Sequence, residues 1–337
     1  MDYEEHHDYN ATYHYDDDVA PVRVIPSSAA SIIAISIYAI SFATGILGNG
    51  TVIWLVGFKW SRSVTSLWFL NLAIADFILV LCLPVEISYV ARNYYWLFGL
   101  NMCKISSFAY HFGALASVLF LTVISVDRYC MMYRQGFCFK YRFRSYAIGL
   151  SIVLWLFSAT LASTRAYSKT LQEMVDGIDC IDDFHSDRHT SILLHRIVTS
   201  LFLIMGYMIP SILLLSSYRA IKVCNTKPLK KSHECLITIL IISFLVCWTP
   251  YNVIRFLKVI GLFHHESKFF VNCTTIFVAL TFLSSCFNPV IYTMLSERLG
   301  LDKDVMLEAL KRTIEGEDKE DEGQPPRFVP RDIGYML

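Results

Sequence analysis

Seven separate stretches of this chain are apolar for long enough to cross a bilayer, at roughly 29–57, 66–90, 104–132, 146–164, 191–222, 233–262 and 270–295. A hydrocarbon layer of about 30 Å takes some ~20 residues of helix, and no water inside it can bond a bare amide. Each stretch must therefore satisfy its own backbone as a helix. The expected fold is an all-α membrane protein, a seven-transmembrane helix bundle. A mean hydropathy of +0.46 with 17% charged residues agrees with that class. Pro84, Pro210, Pro250 and Pro289 fall inside the stretches and mark expected kinks, since neighbouring helices can satisfy the carbonyls they free.

Basic and acidic residues balance at 29 each, so net charge selects no partner, but their placement sets orientation. Lys59 and Arg62, then Arg134, Lys140, Arg142 and Arg144, then Lys222, Lys227, Lys230 and Lys231 all fall on one side of the seven stretches. Short loops rich in Lys and Arg stay in the cytoplasm, which places the N-terminus outside and the C-terminus in the cytoplasm of a multi-pass plasma-membrane protein. Residues 1–28 read as a disordered acidic extracellular tail, 29–295 as the bundle and 296–337 as a cytoplasmic tail. The N-terminus MDYEEHHDYNATYHYDDD is acidic where a secretory leader is basic, so no cleavable signal peptide is expected. Asn10-Ala-Thr12 is a glycosylation acceptor on the outer side. Asn49-Gly-Thr51 and Asn272-Cys-Thr274 match the same pattern, in or beside a span, and are read as chance.

Ten cysteines occur with no C-x-x-C pair, most of them within apolar runs as buried thiols. Cys103 opens one run and Cys180 lies in an acidic stretch between two others; both fall on the outer side, where oxidation would join them. No cysteine follows Cys286, which excludes palmitoylation of the C-terminal tail. Asp76, inside the second stretch, has no basic residue one turn away. A charged group there costs at least ~2.5–3.5 kcal/mol, so it is either protonated or meets a cation supplied from elsewhere. Asp127 and Arg128, side by side where the third stretch ends, are expected to neutralise each other at the lipid boundary.

These residues resemble the rhodopsin-like (class A) G-protein-coupled receptors. The resemblance rests on Gly48-Asn49, Leu72-Ala-Ile-Ala-Asp76, Asp127-Arg128-Tyr129, Trp155, Pro210 with Tyr218, Phe244 to Pro250 and Asn288-Pro289-Val-Ile-Tyr292, one set in each span and in order. It implies that Asp127, Arg128, Tyr129, Tyr218, Phe244, Trp248, Pro250, Asn288, Pro289 and Tyr292 form an activation switch. In that switch the cytoplasmic end of the sixth helix swings outward and exposes the arginine to a heterotrimeric G protein of the inhibitory class. Asp76, Ser117, Ser285 and Asn288 match positions that hold an allosteric sodium ion in many relatives; Gly113 stands where an asparagine is often found beside that site. No other cofactor is implied.

Phe69 to Asp76, Leu83-Pro84, Tyr95-Trp-Leu-Phe-Gly99 and Met102-Cys-Lys-Ile-Ser106 resemble the chemoattractant branch, most of all the chemerin (chemokine-like) and formyl-peptide receptors. An extracellular peptide or small-protein ligand follows from that resemblance, with Glu86, Tyr110, His111, Arg165, Arg255 and Lys258 as its contacts. His111 alone reads more often as a core histidine than as a contact. Arg255 lies seven residues past Trp248, two turns outward on one face, and can hold a peptide carboxylate. Phe202 stands where several relatives carry an arginine. The acidic tail attracts cationic partners, and Tyr3, Tyr9, Tyr13 and Tyr15, set among its acids, are sulfation candidates.

Gln135 and Leu299 depart from the family pattern, and Ser296 and Thr313 are the tail's serine and threonine residues from 296 on, so weak arrestin recruitment is expected. Residues 296–314 read as a helix lying on the bilayer surface. Those departures leave a second reading, a non-signalling decoy of the same fold. An enzyme is not expected, since neither G-x-S-x-G nor H-E-x-x-H occurs.

Overall fold

The computed structural model describes residues 24–54, 56–57, 63–133, 142–223, 231–262 and 267–298, with side chains described in all of these except 131–133, 220–223, 231–237 and 288–298. The acidic tail with Asn10 and its four tyrosines, Gln135, and the segment from Leu299 onward lie outside the described residues.

The chain runs as α1 (Ser28–Trp54), α2 (Val64–Leu81), α3 (Leu83–Ala91), α4 (Gly99–Tyr133), α5 (Arg144–Tyr167), β1 (Lys169–Met174), β2 (Gly177–Asp182), α6 (Arg188–Leu203), α7 (Ile209–Val223), α8 (Lys231–Val259) and α9 (Lys268–Arg298). Seven spans result, because α2 and α3 together make the second and α6 and α7 the fifth. Helix starts carry their own caps: Ser66 N donates to Ser63 Oγ at 3.0 Å, and Thr190 N to Asp187 Oδ2 at 2.8 Å.

The prolines account for the breaks. Pro84 sits in the first turn of α3, where a missing N–H costs nothing, and the second span bends at Cys82 just before it. Ahead of Pro210 the fifth span passes through a π turn, Ile204–Met208, in which Ile209 N reaches back to Ile204 O. Pro250 stays within α8. α1, α4 and α5 contain no proline.

α4 occupies the centre, in contact with α2, α5, α7 and β1, while α1 closes against α9. Leu79, Val80, Phe120 and Phe282 are fully buried between these helices, whereas Leu47, Leu156, Ile212 and Val246 are exposed, as lipid-facing side chains are. Trp155 Nε1 donates to Asn71 Oδ1 at 2.8 Å and its ring lies 5.1 Å from Phe112, which fastens α5 to α2 and α4. Gly113 has a specific purpose in this packing: a Cβ there would stand 2.9 Å from Leu79 N and 3.0 Å from Ala75 O. The backbones of α4 and α2 meet at this point, which leaves no room for the asparagine that the family pattern suggests.

One part of the chain departs from the all-α expectation. Residues 169–182 form an antiparallel hairpin, with Leu171 opposite Cys180 and Met174 opposite Gly177. Gly177 takes φ 129°, which suits glycine, and a Cβ there would enter the Tyr95 ring. A disulfide joins Cys103 at the start of α4 to Cys180 on β2, with Cα atoms 5.8 Å apart. Trp96 N donates to Ile178 O at 2.8 Å, so the loop before α4 is laid against the same hairpin.

Candidate functional site

At the disulfide end of the bundle two cavities open side by side, of about 470 and 190 Å³, both lined by Tyr110, His111 and Lys169. Arg165, Lys169, Arg196, Arg255 and Lys258 face the larger, against the single acid Asp182. Five cations to one anion make it a site for a negatively charged group.

Arg165 is the most enclosed of these cations, only 4% exposed at the end of α5. Its Nη1 lies 3.3 Å from Asp182 Oδ2, its Nη2 donates to Thr199 Oγ1 at 2.5 Å, and its plane lies 5.6 Å over Phe202 and 5.9 Å over Phe184. The third guanidinium nitrogen, Nε, is buried without a partner. An unsatisfied guanidinium N–H inside a cavity wants an acceptor from outside the protein. Asp182 also takes Lys169 Nζ at 3.0 Å. Burial works against its ionisation, but Lys169 and then Arg165 outweigh that and hold its carboxyl below the usual carboxylate value. Arg255 Nη2 donates to Thr199 O at 3.4 Å and its guanidinium lies 5.5 Å over the Tyr251 ring.

His111 Nδ1 stands 2.8 Å from Ser107 O; a carbonyl can only accept, so Nδ1 carries a hydrogen. The ring packs 5.0 Å from Tyr110 and 5.1 Å from Phe202. Glu86 lines the smaller cavity beside Tyr89, Trp96 and the disulfide, where Lys169 is the cation of the cluster that it shares. All six expected ligand contacts thus line one cavity or the other. The sequence reading missed Lys169, Asp182, Arg196, Thr199 and Tyr251. One signal was available: Ser191, His195 and Thr199 recur every fourth residue on one face of α6, in an otherwise apolar run.

Below the cavities, Trp248 and Phe244 lie on one face of α8 with ring centroids 5.9 Å apart. Trp248 Nε1 donates to Ser284 Oγ at 2.8 Å, tying α8 to α9. Tyr207, in the π turn, donates through its hydroxyl to Thr249 Oγ1 at 2.7 Å beside Pro250. Deeper still, Asp76 is fully buried and accepts from Ser117 Oγ at 2.6 Å. Ser285 Oγ is buried without a partner, while Ser285 O accepts from Asn49 Nδ2 at 3.1 Å. A carboxylate and hydroxyl oxygens are the donor set a hard monovalent cation takes. The side chain of Asn288, the fourth expected ligand, lies outside the described residues, as do those of Pro289 and Tyr292.

The pattern shared by 7 transmembrane receptors of the rhodopsin family matches residues 48–292 of this chain. The chain belongs to the rhodopsin family of seven-transmembrane receptors. The receptor is 39% identical to a G-protein coupled receptor homolog of fowlpox virus over 303 residues, covering 90% of this chain and 94% of that protein. It is 36% identical over 289 residues to chemerin-like receptor 2 of Mus musculus, and 34% identical over 291 residues to that of Homo sapiens, each match covering 84% of this chain and 81% of the relative. It is a multi-pass plasma-membrane protein, and its family couples extracellular ligands to G proteins.

At the other end of the receptor, Arg128 is buried at 7% exposure. Asp127 does not use it as the sequence reading supposed. The partner is Arg142, whose Nε lies 3.2 Å and Nη2 3.3 Å from the two carboxylate oxygens, while Nη2 also donates to Thr65 Oγ1 at 2.6 Å. Consecutive residues of a helix point about 100° apart and do not face each other. Asp127 therefore braces α4 against the start of α5 and, through Thr65, against α2. Tyr218 packs half-buried against the core on α7.

Proposed function

We propose that this receptor detects an extracellular chemoattractant peptide or small protein that presents a carboxylate, and answers by activating a G protein of the inhibitory class. The observation that carries the reading is the orphaned Nε of Arg165 inside a cavity of five cations and one acid. The disulfide end is the outer one, in keeping with the Lys and Arg excess in the loops at the other end. A carboxylate that seats on Arg165 and Arg255 lies beside Tyr251, on the same helix as Trp248, and so bears on the α8–α9 tie between Trp248 and Ser284. Loosening that tie lets the inner end of α8 move outward and uncover Arg128. Phe202 does not leave the site short of a cation: Arg165 lies over its ring and supplies one from the fourth span.

The names of the mouse and human relatives make chemerin the first ligand to try. Nucleotide exchange on purified G proteins tests the reading, with a chemerin C-terminal peptide as the free acid and as the amide. Exchange driven by the acid, weaker by an order of magnitude with the amide and abolished in Arg128→Ala, is expected. Equal potency of acid and amide would remove the carboxylate from the mechanism, and binding without exchange would favour the decoy. A sodium ion on Asp76, Ser117, Ser285 and Asn288 stabilises the resting packing; ligand affinity that ignores sodium, or still responds to it in Asp76→Asn, is the result against this.

A further inference from the structure

A third cavity, of about 380 Å³, lies at the Arg128 end between α4 and α5, away from the ligand site and bordering the switch only at Asp127. Its walls are apolar side chains of α4 and α5, chiefly Val123, Val126, Tyr146 and Leu150, and it opens on the lipid-facing side where Tyr146 and Leu150 are exposed. Two features set it apart from a plain groove between helices. The Trp68 ring forms part of the wall, 5% exposed, and its Nε1 is buried without a hydrogen-bond acceptor. Cys130 forms another part, half-buried and outside any disulfide.

The depth of these groups gives a direction. Cys130 lies two residues past Arg128 and three before α4 ends at Tyr133, and α5 begins at Arg144, so the thiol stands near the ends of both helices, beside the charged pair that the sequence places at the lipid boundary. Val123 is two helical turns deeper, about 10 Å along the axis, and Leu150 is correspondingly deep in α5. The groove thus begins at a thiol on the boundary and runs inward along hydrocarbon. Its charged residues, Asp127 and Arg142, neutralise one another, so the wall offers nothing to an anionic headgroup. What it lacks is one uncharged acceptor for Trp68 and an apolar body.

We propose that Cys130 carries a thioester-linked long-chain acyl group whose chain lies in this groove. The thioester carbonyl is the neutral acceptor that Trp68 Nε1 is missing, and the chain covers the apolar wall. A juxtamembrane cysteine is the ordinary substrate of reversible S-acylation. The transfer balances without an oxidant: the Cys130 sulfur attacks the carbonyl carbon of an acyl-coenzyme A, a new C–S bond forms as the old one breaks, and coenzyme A leaves carrying the thiol proton. Among the described cysteines the alternatives are poor, since Cys82, Cys247 and Cys286 are buried, Cys103 and Cys180 are joined, and Cys273 lies at the ligand end. The inference rests on the orientation given under Proposed function, because acyl-coenzyme A is cytosolic.

The test uses the full-length receptor purified from cells fed an alkynyl palmitate that bears a photoreactive diazirine. Peptide mapping is expected to find a hydroxylamine-labile acyl group on Cys130, and illumination to place cross-links on Tyr146, Leu150 or Val123. Trp68→Phe is expected to keep the acyl group but spread the cross-links into lipid. Glycosidase sensitivity of Asn10 in the same sample reports orientation, so a reversed topology is told apart from an unmodified thiol. An unmodified Cys130, acylation confined to Cys138, Cys224 or Cys235, or cross-links to lipid alone in the wild type would each overturn the proposal. So would a photoreactive sterol that labels the same wall while Cys130 is a free thiol, since the occupant would then come from the bilayer.

Discussion

Arg165 gives Nη2 to Thr199 at 2.5 Å, while its Nε, also buried, has no hydrogen-bond partner. The two nitrogens differ in purpose. Thr199 fixes the guanidinium plane against α6, and the open donor is aimed by that fixation. Arg165→Lys keeps the charge but loses the fork. A hydrogen bond to a charged group contributes about 1.5–3 kcal/mol, so potency for a peptide free acid should fall about 10- to 100-fold while potency for the amide changes little. Concentration–response curves for the two peptides on both receptors decide it.

Asp182 gives the outer site an acid limb. Its carboxyl is held below the ordinary value of 3.8, with burial opposing and Lys169 and Arg165 prevailing. A depressed carboxylate stabilises the folded state fully above its unfolded value, and that contribution is lost as pH falls through the folded value. Thermal stability of the purified receptor should therefore hold from neutral pH down to about 4 and drop below it, with the drop blunted in Asp182→Asn. A profile unchanged by that substitution would show that another carboxylate carries the limb.

Because Asp127 pairs with Arg142, the two should behave as one unit. Asp127→Ala and Arg142→Ala each remove the same pair, whose members are 15% and 7% exposed. A double-mutant cycle on basal nucleotide exchange should give a coupling of about 0.5–3 kcal/mol, with the double variant hardly different from Arg142→Ala, which also loses the Thr65 contact. Additive effects would mean that Asp127 answers chiefly to a different group.

Gly113 allows no side chain. With a Cβ at 2.9 Å from a backbone nitrogen, Gly113→Ala has to push α4 off α2. Overpacking of this kind costs about 1–3 kcal/mol, so the unfolding temperature should fall, and Gly113→Asn should lower it further. A Gly113→Asn receptor as stable as the wild type would show that the helices separate freely.

How much of this could be read from the chain depended on which physical signal each part carries. The seven spans were plain, because lipid allows so few backbone solutions that apolar length alone fixes them. Pro84 and Pro210 marked the breaks for the same reason. The hairpin was missed although Asp176-Gly177 is a turn signal between alternating residues, since a short exposed ladder has no apolar run to announce it. Arg165 and Arg255 were found as cations near span ends, but Asp182 and Thr199, which aim them, are far from either in sequence or hidden in an apolar run. The pairing of Asp127 with Arg142, 15 residues away, shows the limit most clearly. Neighbours in sequence were taken for neighbours in space, and a helix separates them.

The absence of proline from α1, α4 and α5 has a mechanical consequence. α4 runs unbroken for 35 residues, about 52 Å, from the disulfide past Asp76's hydroxyl partner to Arg128, and it is fastened to α5 at Trp155's neighbours and at Arg142. Of the three, α4 and α5 are packed directly on each other and form a stator. The second and fifth spans each break beside a proline, at Cys82 and at the Ile204–Met208 turn, and they are shaped to turn against it. Under the proposed activation a signal need not travel down α4 at all; it is registered as the tilt of jointed columns around a fixed post.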